Sequence, residues 1–388
     1  MRKVYLDHSA TTPVRKEVAD LVVEYMVDKF GNPSSIHSFG REARKALDEA
    51  RERLANLIGA EPKEIYFTSG GTESDNIAIL GAAFANSKKG KHIITSAIEH
   101  HAVMDPCKYL EKQGYEVTYL PVDDQGIISI ADLEKAIKPE TILITIMHVN
   151  NEIGTIQDIG PMAKLAKDKG ILFHTDAVQS LGKVHVNVNE LNVDMLSGSS
   201  HKIYGPKGVG VLYIRKGVKL DSIMYGGVQE RKKRPGTENL SGIVGFGLAA
   251  ELAGKEIDEE NDKQSKLRDK LINGILENIP HTRLNGHSEK RIASNVNVSI
   301  EFVEGESLLL SLDMRGIGAS SGSACTSGSL DPSHVLLAMG LSHEIAHGSL
   351  RMTLGRETTE EDIDYVLEAL PQVVDRLRAM SPLYNKKK

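Results

Sequence analysis

The pattern of short apolar runs through the middle of the chain constrains its fold most. Ile65–Thr68, His92–Ser96, Val117–Val122, Ile142–Val149, Ile171–Thr175 and Val193–Leu196 are β-rich, and helical stretches such as Ser74–Ala85 and Ile159–Lys169 lie between most of them. Gly81 and Gly170 are expected near helix ends. Alternation of this kind predicts an α/β fold with a mainly parallel sheet and helices on both faces. Val209–Arg215, after a Gly-Pro-Lys-Gly turn, reads as an added antiparallel strand. The pattern changes after Gly254. Glu256–Ile279 reads as one long charged helix, followed by a strand over Ser294–Ile300, a helix near Glu306–Arg315, a strand near His347–Leu354 and a last helix from Thr359 to about Met380. Thr358-Thr-Glu-Glu suits a helix start, with a capping hydroxyl and acidic residues in the first turn. The expected organisation is a large domain over 13–255 and a smaller α+β domain from 1–12 with 256–388.

A chain of 388 residues suits two domains rather than one small core. Its net charge of −6 gives no global basic field for nucleic acid, and direct binding to nucleic acid is not expected. No apolar run approaches the roughly 18 residues of a membrane span. The start, Met1-Arg-Lys-Val-Tyr-Leu-Asp, lacks the apolar core of a signal peptide, so the expected compartment is the cytoplasm. The two cysteines, Cys107 and Cys325, are far apart and outside any CxxC pair, which argues against a structural zinc site or a disulfide framework.

In a parallel α/β sheet, ligands bind beyond the C-terminal ends of the strands. Thr68-Ser-Gly-Gly-Thr-Glu-Ser-Asp-Asn76 follows one strand and opens a helix. Its glycines allow close approach of an anion to the first helical N–H groups, and Thr72 adds a hydroxyl; a plain strand–helix turn is the alternative at about even odds. Ile98-Glu-His-His101 puts an imidazole pair at a second strand end, where it suits ring stacking or, more ordinarily, helix capping. Met147-His-Val-Asn-Asn-Glu-Ile-Gly154 suits either a turn or ligand hydrogen bonding. Asp176, in His174-Thr-Asp-Ala-Val-Gln179, is placed either to cap a helix or to hold a pyridine nitrogen protonated. Lys202, in Ser199-Ser-His-Lys202, is either an exposed loop lysine or an amine that can condense with an aldehyde. The order along the chain of the glycine turn, the strand-end imidazole pair, Asp176 and Lys202 favours the ligand-binding reading of each, because together they can surround one pyridoxal 5′-phosphate (PLP). Cys325 lies in Ser320-Ser-Gly-Ser-Ala-Cys-Thr-Ser-Gly-Ser329, too small and polar to build a core. An exposed mobile loop with a reactive thiol is expected there. Cys107 reads as structural or incidental.

These segments, with Tyr5-Leu-Asp-His-Ser-Ala-Thr-Thr-Pro13, Gly31-Asn-Pro-Ser-Ser35, Arg234-Pro-Gly-Thr-Glu-Asn239 and Leu354-Gly-Arg-Glu-Thr-Thr359, run end to end through the chain. In them it resembles the IscS/NifS-type cysteine desulfurases of the class V aminotransferase group, which are fold-type I PLP enzymes. The Ser-Gly-Ser-Ala-Cys segment matches the branch with a long catalytic loop. The resemblance implies that Lys202 holds the cofactor, Asp176 pairs with its ring nitrogen, Gln179 with its ring oxygen, and His100 stacks on the ring. It implies that Gly71, Thr72, Ser199, Ser200 and His201 hold the phosphate, joined by Thr237 from a neighbouring subunit of a homodimer. Asn151 and Arg351 would grip the substrate carboxylate, with Asn32 assisting. The implied reaction converts L-cysteine to L-alanine and leaves a persulfide on Cys325, with Lys202 moving the α-proton and His100 assisting at the substrate thiol. The sulfur would pass to an iron–sulfur scaffold protein or another acceptor such as a tRNA-thiolation enzyme. No permanent metal is expected, and transient ligation of an iron–sulfur cluster by Cys325 stays open. The rivals are a selenocysteine lyase, a class V aminotransferase, and a non-catalytic subunit that kept the fold.

Overall fold

The structure, a computed structural model, describes residues 2–321 and 332–385. Cys325 lies outside them. A seven-stranded sheet runs in the order Ile65–Thr68, Gly210–Ile214, Met195–Ser199, Leu172–Asp176, Thr141–Thr145, His92–Ser96 and Glu116–Leu120. Contacts from Met195–Ser199 outward to Glu116–Leu120 are all parallel. Gly210–Ile214 is antiparallel to both its neighbours, as Val209–Arg215 suggested. The interior strands are buried along their whole length, Leu172 excepted, because helices cover both faces. On one face lie Ser38–Ile58, Ile159–Asp168 and the start of Leu240–Asn278, on the other Gly71–Asn86 and His101–Lys112.

A second apolar core forms around the antiparallel strands Thr282–Leu284, Asn295–Ile300 and Ser349–Thr353. The helices Gly305–Asp313 and Glu360–Met380 pack on it, together with the far half of Leu240–Asn278. Val4–Tyr5 pairs in parallel with Ile317–Gly318, and Leu6 is fully buried in this core. Thr359 caps the last helix in a capping box with Asp362.

Three features of the fold differ from the sequence expectation. The long helix begins at Leu240, not Glu256, and continues unbroken to Asn278. Its first half is apolar and rich in glycine, a composition that weakens a helical reading. Those glycines let helices approach closely: a Cβ on Gly247 would stand 2.7 Å from the Ala50 Cα. Gly81 sits inside its helix rather than near the end, where a Cβ would meet the Asp221 carbonyl at 2.9 Å. Two helices before the first sheet strand, Lys16–Val27 and Ser38–Ile58, fall outside the alternating pattern altogether. Among the described residues, no helix is long and apolar enough to cross a membrane.

Candidate active site

The C-terminal ends of the sheet strands meet at one edge, and the chain turns polar there. One cavity is lined by Gly71, Thr72 and Asp75 after the first strand, His100 after Ser96, Met147, Val149 and Asn151 after Thr145, Asp176, Val178 and Gln179, and Ser199, His201 and Lys202. Arg351 closes it from the small antiparallel sheet, and Ser9 and Ala10 from the N-terminal segment.

Lys202 ends a short 3-10 turn, Ser200–Lys202, that directly follows Met195–Ser199. Its Nζ donates to the Ser9 carbonyl and, at 2.8 Å, to the Ala10 carbonyl. Gln179 Nε2 donates to the same Ser9 carbonyl at 3.0 Å, and Lys183 Nζ donates to Gln179 Oε1 at 3.3 Å. The Thr12 N–H and hydroxyl both donate to the His201 carbonyl, and His201 Nδ1 lies 3.2 Å from Thr11 Oγ1. The segment Ser9–Thr12 is thereby stitched across the lysine turn.

His100 is the N-cap of His101–Lys112, where its Nδ1 accepts the Ala102 N–H at 3.1 Å. A neutral ring therefore carries its proton on Nε2, and burial lowers its pKa, which favours that neutral form. His101 turns away, with its ring centroid 5.3 Å from that of His334. The capping and the cavity roles coexist in His100, so the two sequence alternatives do not compete.

Asp176 ends its strand. Its carboxylate accepts the Val178 N–H at 2.8 Å, and burial raises its pKa. Asp75, fully buried nearby, is raised well above the ordinary carboxyl range by burial and by Asp176, and its Oδ1 has no hydrogen-bond partner in the structure. Glu99 is pushed up to about 8, chiefly by burial. His174, 3.6 Å from Asp75, is held down to about 3 by burial and stays neutral. Three buried carboxyl groups, Asp75, Glu99 and Asp176, thus crowd behind the cavity, which suits a ligand that brings positive charge beside Asp176.

At the glycine turn, Gly71 opens the helix Gly71–Asn86, and a Cβ there would stand 2.5 Å from Val178. A Cβ on Gly210 would meet Gly70 backbone at 2.5 Å. Helix, turn and sheet are therefore packed as closely as glycine allows, with Thr72 at the rim of the cavity.

The guanidinium of Arg351 is 2% exposed. Nη2 pairs with Asp7 Oδ1 at 2.9 Å, Nη1 donates to the Asn151 carbonyl at 3.2 Å, and Nε is buried without a partner. A buried guanidinium with one donor unmet at a cavity wall has the chemistry to bind a carboxylate.

The structure does not bring every expected residue to this cavity. Ser200 Oγ is buried without a partner, packed where a Cβ on Gly205 would reach it. Asn32 is exposed and its Oδ1 accepts the Ser34 N–H at 2.9 Å. Thr237 is exposed and outside the cavity lining. Cys107 is fully buried, and burial pushes its thiol up to about 12, so it is an inert core residue. Sequence reasoning missed Ser9, Ala10, Asp7, Asp75 and Lys183. The first two act through backbone carbonyls, which leave no side-chain signature. Asp75 stands inside the Thr68–Asn76 segment, where an acidic residue reads as helix-start chemistry.

The family model for aminotransferase class-V matches residues 4–366. This chain belongs to the class-V aminotransferase family. It is 60% identical over 385 residues to a protein named cysteine desulfurase IscS from Methanosarcina thermophila, covering 99% of this chain and 95% of that one. It is 50% identical to cysteine desulfurase IscS 1 of Archaeoglobus fulgidus, covering 98% and 100%. Among solved structures, one titled NifS-like protein superposes with a TM-score of 0.91 at 38% identity, over 97% of this chain and 100% of that one. Another, titled SspA in complex with cysteine, has a TM-score of 0.81 at 40% identity, over 91% and 99%. The fold is that of the family's PLP enzymes, and PLP is the cofactor. The residues present fit it: an amine on Lys202, a buried carboxylate on Asp176, and a glycine turn at a helix N-terminus all face one cavity.

Proposed function

We propose that the chain is a PLP-dependent cysteine desulfurase that converts L-cysteine to L-alanine and carries the sulfur on Cys325. The observation that carries this reading is that Lys202, Asp176 and Arg351 line one cavity, and that the residues flanking the Cys325 segment are fixed beside it. Ser320 exchanges backbone hydrogen bonds with Arg351 at 2.7 and 3.0 Å. Ser333 donates its hydroxyl to Glu152, next to Asn151, and the His334 ring Nε2 lies 2.9 Å from the Glu99 carbonyl, next to His100.

Bound PLP supplies an aldehyde that takes the substrate amine and a ring that takes up electrons. Asp176 would hold the ring nitrogen protonated, Gln179 the ring oxygen, and His100 one ring face. The phosphate would lie on the Gly71-Thr72 turn with Ser199 and His201. Arg351 and Asn151 would take the substrate carboxylate. The free amine of Lys202 would move the α-proton, and neutral His100, which carries its proton on Nε2, would assist at the substrate thiol as a hydrogen-bond donor. The Cys325 thiolate then attacks the substrate sulfur. The new S–S bond forms as the Cβ–S bond breaks, the electron pair stays with the carbon skeleton, and protonation releases L-alanine. The persulfide passes to an acceptor in the cytoplasm, an iron–sulfur scaffold protein or a tRNA-thiolation enzyme. The same reading divides the chain into domains at 13–255 and at 1–12 with 256–388. It makes the protein a homodimer in which Thr237 reaches the neighbour's phosphate. Exposed apolar side chains at Met26, Phe30, Ile36, Phe39 and Tyr225 support a protein-covered surface.

The direct test is incubation of the PLP-loaded protein with L-cysteine and a thiol reductant. Equal amounts of alanine and sulfide are expected. Amino transfer to a keto acid without sulfide would contradict the reading.

Two variants probe the binding roles. Asp176→Ala is expected to lower turnover roughly a hundredfold while the protein stays folded, as when a charge-stabilising group leaves a dry site. Steady-state alanine release and circular dichroism check this. Arg351→Lys replaces a planar fork with a point charge and disturbs the Asp7 pair, so the KM for L-cysteine is expected to rise roughly tenfold or more. An unchanged KM would remove Arg351 from carboxylate binding.

A further inference from the structure

Glu230, Arg231 and Lys232 have φ of 41°, 52° and 67°. Side-chain-bearing residues rarely adopt this left-handed region, and three in succession persist only where the surroundings enforce them. Here Glu230 turns into the core. Its carboxylate accepts from both terminal nitrogens of Arg51 at 2.7 and 2.9 Å and from the Phe67 N–H at 2.9 Å. The two side chains are 10% and 3% exposed. Arg51 also donates to the Ile65 carbonyl at 2.6 Å. Arg231 reaches that carbonyl from outside at 2.7 Å and lies 4.2 Å from the Tyr66 ring centroid. A buried bidentate pair of this kind costs much to break, because either partner alone is an uncompensated charge.

The left-handed turn therefore rests on a rigid strand, Ile65–Thr68, and directs the chain that follows. Pro235 is buried, and Gly236 and Thr237 emerge exposed before Asn239 caps the long helix. Tyr225 and Val228, just before the turn, are also strongly exposed. Conformational cost is thus concentrated at a turn whose exposed Thr237 does not line the chain's own cavity.

We infer that Arg51 and Glu230 are positioning residues that act in trans: they hold the turn that presents Thr237 to the cofactor phosphate of a second copy of this chain. This rests on the homodimeric reading given above. A role in cis is the physical rival. The same latch stiffens the strand leading into the chain's own phosphate turn, and Arg234 Nε meets Glu73 at 3.1 Å beside it.

Hybrid dimers of differently tagged chains separate the two. A Lys202→Ala chain has no lysine for the cofactor, so each hybrid keeps one site to be read by its colour. In the first hybrid, Glu230→Ala and Lys202→Ala are on the same chain and the partner is unaltered. The surviving site then receives Thr237 from the altered chain. In the second, the two changes are on different chains, and the surviving site receives Thr237 from a chain with Glu230 intact. The reference hybrid carries Lys202→Ala alone. The expected result is a PLP dissociation constant raised roughly tenfold in the first hybrid and unchanged in the second. An effect confined to the second, equal in both, or absent from both overturns the inference. Glu230→Gln, which keeps the side chain's size, serves if Glu230→Ala fails to fold. Light scattering on the unaltered holoprotein tests the underlying reading separately: a monomer removes the dimer and this inference together, whereas a dimer with the wrong hybrid pattern removes the inference alone.

Discussion

Lys202→Ala gives a colourless protein that releases no measurable alanine from L-cysteine. The amine stands at the end of a sheet strand, in the cavity that also holds Asp176 and Arg351. It is aimed by hydrogen bonds to the Ser9 and Ala10 carbonyls. Removing it takes away both the covalent hold on PLP and the group that moves the α-proton. General acid–base chemistry alone contributes roughly 10²- to 10⁴-fold, and loss of the covalent attachment adds to that. The fold should survive, because the side chain is not part of either apolar core. Absorbance in the visible range, alanine release and a thermal melt check the three parts of this expectation. A yellow, active Lys202→Ala protein would place the cofactor lysine elsewhere.

Cys325→Ala has the opposite spectral outcome. The protein stays yellow, because no residue of the cofactor site is touched, yet sulfide production from L-cysteine falls to background. The thiolate is the nucleophile in sulfur transfer, and alanine has no group to replace it. The variant should still bind L-cysteine, since Arg351 and Asn151 are intact. A change in the visible spectrum on adding L-cysteine, without turnover, is the expected signature. Cys107 cannot substitute, because it is fully buried with a thiol raised to about 12.

Much of this was legible in the sequence. The alternation of apolar runs and helical patterns predicted the parallel sheet, and the strand Gly210–Ile214 proved antiparallel as its turn suggested. The strand-end residues Thr72, His100, Asp176, Gln179, Ser199, His201 and Lys202 do line one cavity. They were readable because a parallel sheet brings its strand ends together whatever the loops do. What escaped the sequence has physical causes. The first half of the long helix was hidden by glycines that serve close packing, Gly247 against Ala50 and Gly245 against Val22 and Pro206. The N-terminal strap contributes carbonyls rather than side chains. The buried acids Asp75 and Glu99 acquire their raised pKa values from burial and from nearby Asp176, neither of which exists before the chain folds. The left-handed run at Glu230 carries no glycine to announce it, since a buried ion pair enforces it instead.

The central claim is that this cavity strips sulfur from L-cysteine and that Cys325 receives it. Mass spectrometry of the protein after a single turnover with L-cysteine tests both halves at once. The account predicts a peptide containing Cys325 heavier by one sulfur atom, removable by a thiol reductant, with one alanine released per modified chain. Alanine release with no added sulfur on Cys325, or full turnover by Cys325→Ala, would contradict it.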